Sequence, residues 1–289
     1  MGKMQNLGYN TTFSFLRKVL FIITQNDHLP VIYCNMNTQN DRNFDDIADH
    51  FAKKVYGGLK GQIRLAVLER DLGEHLQKHP LKILDVGAGL AQISLNLAKT
   101  HDVVISDISS NMIAKAQTSA HEIGVTPTFI VSPYQELSTH LQGQKFDVIL
   151  CHAVLEWLSN PSQIMAFFDE YLSNEGILSL CFYNPASLIY RNLIMGNFYQ
   201  LDKPKPADNK SLTPNNPVAY ETVEQWLLDK SYTILCKSGI RVFSDYAPLK
   251  RGGLTNPNDV IAMELRYSQI HPFWQMGRYL HLLAKKSHQ

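Results

Sequence analysis

Four short stretches of this chain carry residue types from which a ligand site can be built. The first is ILDVGAGLAQ, Ile83 to Gln92, in which Asp85 precedes Gly87 and Gly89 and a third small residue, Ala91, follows. The second is ISDIS, where Asp107 falls about 20 residues beyond the glycines. The third, SPYQEL, holds Tyr134 and Gln135, and the fourth, HAVLEWLSNP, opens on His152. A glycine turn between a buried strand and a helix aims backbone N–H groups and the helix N-terminus at whatever lies above the sheet edge. Gly87 and Gly89 let that ligand approach the backbone closely, with Ala88 between them.

The turn lacks two familiar features. A dinucleotide fingerprint wants a third glycine where this chain has Gln92. A phosphate loop wants Gly-Lys followed by Ser or Thr, which is also absent. An acid before the glycines, a second acid at the next strand end and no phosphate-binding lysine suit a cationic nucleoside. S-adenosylmethionine (SAM) answers that description, with an ammonium, a sulfonium, a ribose and no phosphate. In this reading Asp107 accepts the ribose hydroxyls and Asp85 acts on the ammonium, directly or through water. Each assignment has a plainer rival. Asp107 could simply cap the next helix, the glycines could form a tight turn, Tyr134 and Gln135 an ordinary surface loop, and His152 a satisfied structural histidine.

The surrounding pattern supplies the elements such a turn needs. LKILDVG reads as a buried strand and Ala91 to Thr100 as a helix. DVVISDIS is a strand, with Ser109 or Ser110 capping a helix to about Ile123. TFIVS is a third strand, and FDVILCHA a fourth, continuously apolar as a central parallel strand should be. Pro161 opens a helix to about Leu172, and an SNEG turn leads into the strand GILSLCFY. Alternation at this spacing predicts a parallel sheet with helices on both faces. Two helices precede it, Asn43 to Lys54 and Lys60 to Gln77, the second with Ile63, Val67, Leu68 and Leu72 on one stripe. After Tyr183 the rhythm breaks. Ser187 to Gly196 reads as a short helix, Gln200 to Pro217 as a proline-rich loop, and Glu221 to Lys230 as a helix. YTILCKSGIRVF and RYLHLLAK read as the last two strands.

Bulk composition fits this picture. A hydrophobic share of 45% is ample for a large α/β core. The formal net charge of +1 excludes a strongly basic nucleic-acid binder while leaving room for a local basic face. The cysteines, Cys34, Cys151, Cys181 and Cys236, form no C-x-x-C pair and no metal-ligand spacing, so free thiols, no metal and a reducing, cytoplasmic compartment are expected. No apolar run is long enough to span a membrane. Residues 1–38 lack sustained periodicity and are expected to be an N-terminal extension: either Met36 is the true start or the stretch is a loosely attached arm. Residues 39–80 are expected as a helical cap and 81–289 as the main domain, with an insertion at about 185–220.

The four stations, in this order and spacing, resemble the class I SAM-dependent methyltransferases. Ala91 stands where that family often has a third glycine, a mild departure because alanine is small. Further stretches narrow the resemblance: NDRNFDDIADHFAKKVYGGLKGQIRLAVLERDL, CHAVLEW, CFYN, KSGIRVFSDY and GRYLHLLAK. Together they resemble the tRNA 5-carboxymethoxyuridine methyltransferases, from about Met36 to Lys286, with Asp-Arg-Asn-Phe and Gly-Ile-Arg-Val-Phe the most specific parts. The resemblance implies a Rossmann-like fold with a seven-stranded, mostly parallel sheet and N-terminal cap helices. It implies a tRNA anticodon stem-loop as partner and methyl-ester formation on a wobble-uridine carboxylate, with S-adenosyl-L-methionine as cofactor. Rival functions are methylation of a small carboxylic acid and a non-catalytic interaction module.

The resemblance also implies roles. Arg64 reaches the methionine carboxylate and His152 is a cofactor contact. Arg241, in an apolar run, binds the substrate's carboxylate, unless an intramolecular carboxylate already pairs with it. Tyr183 and Asn184 line the acceptor pocket. An RNA-facing rim is expected among Arg191, Lys203, Lys205, Lys210, Lys250, Arg251, Arg266 and Arg278, with Tyr199 and Tyr246 for stacking.

Overall fold

The computed structural model describes residues 41–45, 58–77, 79–202, 214 and 216–287. All of them lie within one unit, Met36–Gln289. The expected extension at 1–38, most of the first cap helix and the lysines at 203, 205 and 210 lie outside the described residues.

Helix α1, Leu59–His75, buries Ile63, Val67, Leu68 and Leu72, the stripe its spacing predicts. Strand β1, Lys82–Val86, and helix α2, Gln92–Leu97, flank the glycine turn. Strand β2, Asp102–Asp107, leads to helix α3, Ser110–Ile123, whose N-cap Ser109 accepts from the Met112 N–H. Strands β3, Thr128–Val131, and β4, Phe146–His152, follow, then helix α4, Ile164–Tyr171. Strand β5, Leu172–Tyr183, runs into helix α5, Pro185–Ile194. Helix α6, Tyr220–Asp229, strand β6, Tyr232–Ile240, helix α7, Pro257–Tyr267, and strand β7, Tyr279–Lys286, complete the order.

The strands form a seven-stranded sheet in the order β3-β2-β1-β4-β5-β7-β6. β1 pairs in parallel with β2 and β4, β2 with β3, and β4 with β5. β7 enters antiparallel between β5 and β6. Successive residues alternate between two cores, because side chains on a strand point to opposite faces. Ile83, Val148, Leu150 and Leu283 join the core that includes α1 residues Ile63 and Val67 and α7 residue Val260. Leu84, Ile149, Leu180 and Leu282 join the other, with Phe168 of α4 and Leu227 of α6. A one-residue slip would exchange the two faces, so the register is strongly specified.

Three expectations need correction. The SNEG segment is an irregularity inside β5: Phe146 pairs Leu172 and Val148 pairs Ile177, so the intervening residues bulge from the ladder, and Glu175 adopts φ 62. Strand β6 ends at Ile240, so Arg241 lies in the following turn, at φ 62, rather than within a strand. Helix α7 was not expected at all. Asn256 caps it by accepting from the Asn258 N–H, and Pro257 opens its first turn. No described helix is long and apolar enough to cross a membrane.

Candidate active site

The site lies over the carboxyl ends of β1, β2 and β4. Gly87 and Gly89 have φ of 67 and 56, values that suit glycine. A Cβ on Gly87 would lie 2.5 Å from Val154 Cγ2, so any side chain at 87 would force Val154 to shift. The Gly89 N–H donates to one oxygen of Asp107 and the Ser109 N–H to the other, both at 2.8 Å. Each oxygen keeps a lone pair for a further donor, so a vicinal diol can be held there. Burial is the main influence that raises the Asp107 carboxyl above its ordinary value, and the two backbone bonds oppose it.

A cleft of about 1010 Å³, its open mouth included, runs along this edge. Gly87, Gly89, Asp107, Tyr134, Gln135 and His152 line it. A recess of about 320 Å³ shares Arg64 and His152 with the cleft and adds Asp85, Ala88 and Gln92. All nine residues nominated for the cofactor therefore border one of these two spaces. The recess is lined by the polar groups expected for the amino-acid end of SAM. Gln92 Oε1 is buried there without a hydrogen-bond partner, an acceptor awaiting a donor. Asp85 is 4% exposed, and burial pushes its carboxyl up to about 7, with the Asp107 charge adding to the rise and Ser94 and Arg64 opposing it. A cationic ammonium would answer both groups. Arg64, 6% exposed, is stacked 5.2 Å from the Tyr279 ring centroid and borders both the cleft and the recess.

Sequence reasoning expected a cap over residues 39–80 but not the contacts that Asp41, Arg42 and Phe44 make at the cleft. Asp41 accepts from the Ser159 N–H at 2.8 Å and from Gln135 Nε2 at 2.8 Å, while the Arg42 N–H donates to the Trp157 carbonyl at 3.1 Å. Phe44 meets Trp157 edge-on at 4.9 Å. Asp45 ties the same segment to Ser109 and Asn111 at the start of α3. The signal was present in the Asp-Arg-Asn-Phe stretch, whose specificity had no structural meaning until these contacts were seen.

On the acceptor side the arrangement differs from expectation. Arg241 Nη1 lies 3.1 Å from Asp245, both largely buried, so the intramolecular carboxylate exists. Glu264 of α7 holds this turn by accepting from the N–H groups of Val242, Phe243 and Ser244. Tyr183 does not line the cleft; its ring packs edge-on against Tyr279, centroids 5.6 Å apart, and Tyr279 forms the wall. The Tyr183 hydroxyl and Arg278 Nη1 are buried without hydrogen-bond partners, and the Arg278 guanidinium sits 4.9 Å over the Tyr183 ring. Asn184 caps α5 and ties it to the carbonyls of Gln275 and Gly277, a structural role. Of the stacking candidates, Tyr199 is 60% exposed, but Tyr246 packs against Tyr190 at 5.2 Å and bonds the Met276 carbonyl. Cys151, Cys181 and Cys236 are buried free thiols.

Comparison with known proteins agrees with this geometry. Residues 77–230 match the methyltransferase domain family. The chain is 36% identical over 253 residues to the tRNA 5-carboxymethoxyuridine methyltransferase of Escherichia coli K12, covering 85% of this chain and 97% of that protein. It is 29% identical over 124 residues to the ubiquinone biosynthesis O-methyltransferase of Actinobacillus pleuropneumoniae serotype 7, covering 42% of this chain and 53% of that protein. Among solved structures, the magnesium protoporphyrin IX methyltransferase of Synechocystis PCC 6803 with bound SAH superposes with a TM-score of 0.56 at 17% identity, covering 84% of this chain and 96% of that one. The glycine turn, the ribose acid and the full-length match to the Escherichia coli protein lead to one conclusion: this chain belongs to the SAM-dependent methyltransferases, in the family of the tRNA 5-carboxymethoxyuridine methyltransferase.

Proposed function

We propose that this chain esterifies the carboxylate of 5-carboxymethoxyuridine at the tRNA wobble position. The match over 97% of the Escherichia coli enzyme carries the reading, and the acceptor side supports it. SAM, when bound, supplies an electrophilic methyl group on a sulfonium. Asp107 grips its ribose, Tyr134 and Gln135 stand beside the base, and Arg64, Asp85, Gln92 and His152 hold the amino-acid end. The acceptor carboxylate is ionised near neutral pH, so no side chain has to remove a proton. The protein's task is to align the acceptor oxygen and strip its water.

Arg278 Nη1 and the Tyr183 hydroxyl are buried donors without partners beside Tyr279, which lines the cleft, and a carboxylate reaching past that ring would satisfy both. Arg241 stands beside them, stacked 5.6 Å from the Tyr279 ring centroid. Because Asp245 already compensates its charge, it contributes as a paired cation. The anticodon stem-loop would meet the exposed aromatic face of Tyr190, Phe198 and Tyr199, and a tRNA substrate places the enzyme's work in the cytoplasm.

Arg278→Ala separates acceptor binding from cofactor binding. Methyl transfer to tRNA should fall about a hundredfold, the scale of a lost charged hydrogen bond, with calorimetric SAM affinity within about twofold of wild type. Equal losses in both would remove Arg278 from the acceptor site.

A further inference from the structure

His152 Nε2 lies 2.8 Å from Ser179 Oγ, and Ser179 Oγ lies 2.8 Å from His281 Nε2. His281 Nδ1 in turn lies 2.7 Å from Asp71 Oδ2. Residues from β4, β5, β7 and α1 thus form one hydrogen-bonded row on the α1 side of the sheet. Ser179, His281 and Asp71 are each 0% exposed, and only His152 reaches the cleft.

The direction of donation is set at the Asp71 end. Asp71 Oδ1 accepts from Arg70 Nε at 3.0 Å, Arg70 Nη2 at 2.6 Å and Gln269 Nε2 at 3.1 Å. A carboxylate so surrounded by donors is ionised and accepts only, so His281 carries its proton on Nδ1. Arg70 already compensates the Asp71 charge, so the arrangement with the His281 proton on Nδ1 and Nε2 bare needs no further counter-ion. The bare Nε2 takes the one proton Ser179 can give. Ser179 must then accept from His152, which places the His152 proton on Nε2. His152 Nδ1 has no hydrogen-bond partner among the described residues.

We infer that Asp71, acting through His281 and Ser179, locks His152 in the Nε2–H tautomer and so presents a bare Nδ1 acceptor to the ammonium end of the methyl donor. Asp71, His281 and Ser179 are positioning residues, in the sense that a metal ligand's outer partner fixes its tautomer. The tautomer does not depend on which nucleic acid is methylated.

Long-range proton–nitrogen NMR of 15N-labelled, ligand-free protein near neutral pH reads the tautomers directly. Signals are assigned with His152→Gln and His281→Gln. Wild type should show His152 protonated on Nε2 alone and His281 on Nδ1 alone. His152 protonated on Nδ1, or either ring as an imidazolium, overturns the inference. In Ser179→Ala the His152 signals should shift toward a mixture of tautomers, with SAM affinity falling about tenfold, the scale of one lost hydrogen bond. An unchanged His152 tautomer in that variant also overturns it.

Discussion

At the scale of single residues, two groups at the glycine turn make predictions of different kinds. Gly87 combines a left-handed backbone with a Cβ position 2.5 Å from Val154 Cγ2. Gly87→Ala should lower stability by about 1–3 kcal/mol, as left-handed strain and overpacking do. Val154→Ala in the same chain should recover only the packing part, a difference that urea melts of the single and double variants will resolve. Asp85 makes a pH prediction. Its carboxyl is raised from 3.8 to about 7, chiefly by burial, so the folded protein holds a proton that the unfolded chain releases above about pH 4. That contribution is greatest below about pH 4, declines as pH rises and is gone above about pH 7. Glu156, raised to about 7 by burial, acts in the same direction. The wild-type melting temperature should therefore fall between about pH 5 and 7.5 more steeply than that of Asp85→Asn. An ammonium favours the ionised form, so SAM affinity should rise over the same range, with proton release visible by calorimetry in buffers of different ionisation enthalpy.

At the scale of elements, α7 exerts its influence through one side chain. Glu264 is 0% exposed and accepts from three consecutive backbone N–H groups in the turn that carries Arg241. Glu264→Ala leaves those groups unsatisfied and should cost about 2–4 kcal/mol, with methyl transfer falling more than SAM binding as the turn loosens. Both effects are measurable on one preparation by thermal unfolding and single-turnover assay. The same region shows what a sequence can and cannot reveal. Strands β1, β2 and β4 were legible because each carries a short apolar run between turn signals, and α1 because its stripe repeats at helical spacing. The residues nominated for the cofactor could be placed along one sheet edge because the glycine turn and Asp107 are tied to strand ends. Helix α7 carries Asn-Pro at its start, yet its apolar stripe is thin, with Val260 and Glu264 its buried positions. The Asp41 contacts to Ser159 and Gln135 arise from tertiary folding, which no local period encodes.

At the scale of the whole molecule, a net charge of +1 is compatible with an anionic partner if cations are concentrated locally. Arg278, Arg241 and Arg191 all bear electrostatically on Tyr183, where burial is the main influence that raises the phenol above its ordinary value and the arginines oppose it. The neighbouring α5 face exposes Tyr190, and beyond it lie Phe198 and Tyr199, 59% and 60% exposed. Tyr279 lines the cleft and meets the Tyr183 ring, so the arginine-flanked phenol adjoins the candidate cofactor site. The measurement that tests the proposed esterification most directly uses the purified chain, methyl-labelled SAM and tRNA carrying 5-carboxymethoxyuridine, followed by nucleoside mass spectrometry. The account predicts label on that nucleoside alone, released as methanol by mild alkali because the bond is an ester. Label on another nucleoside, an alkali-stable methyl group or no transfer would contradict it.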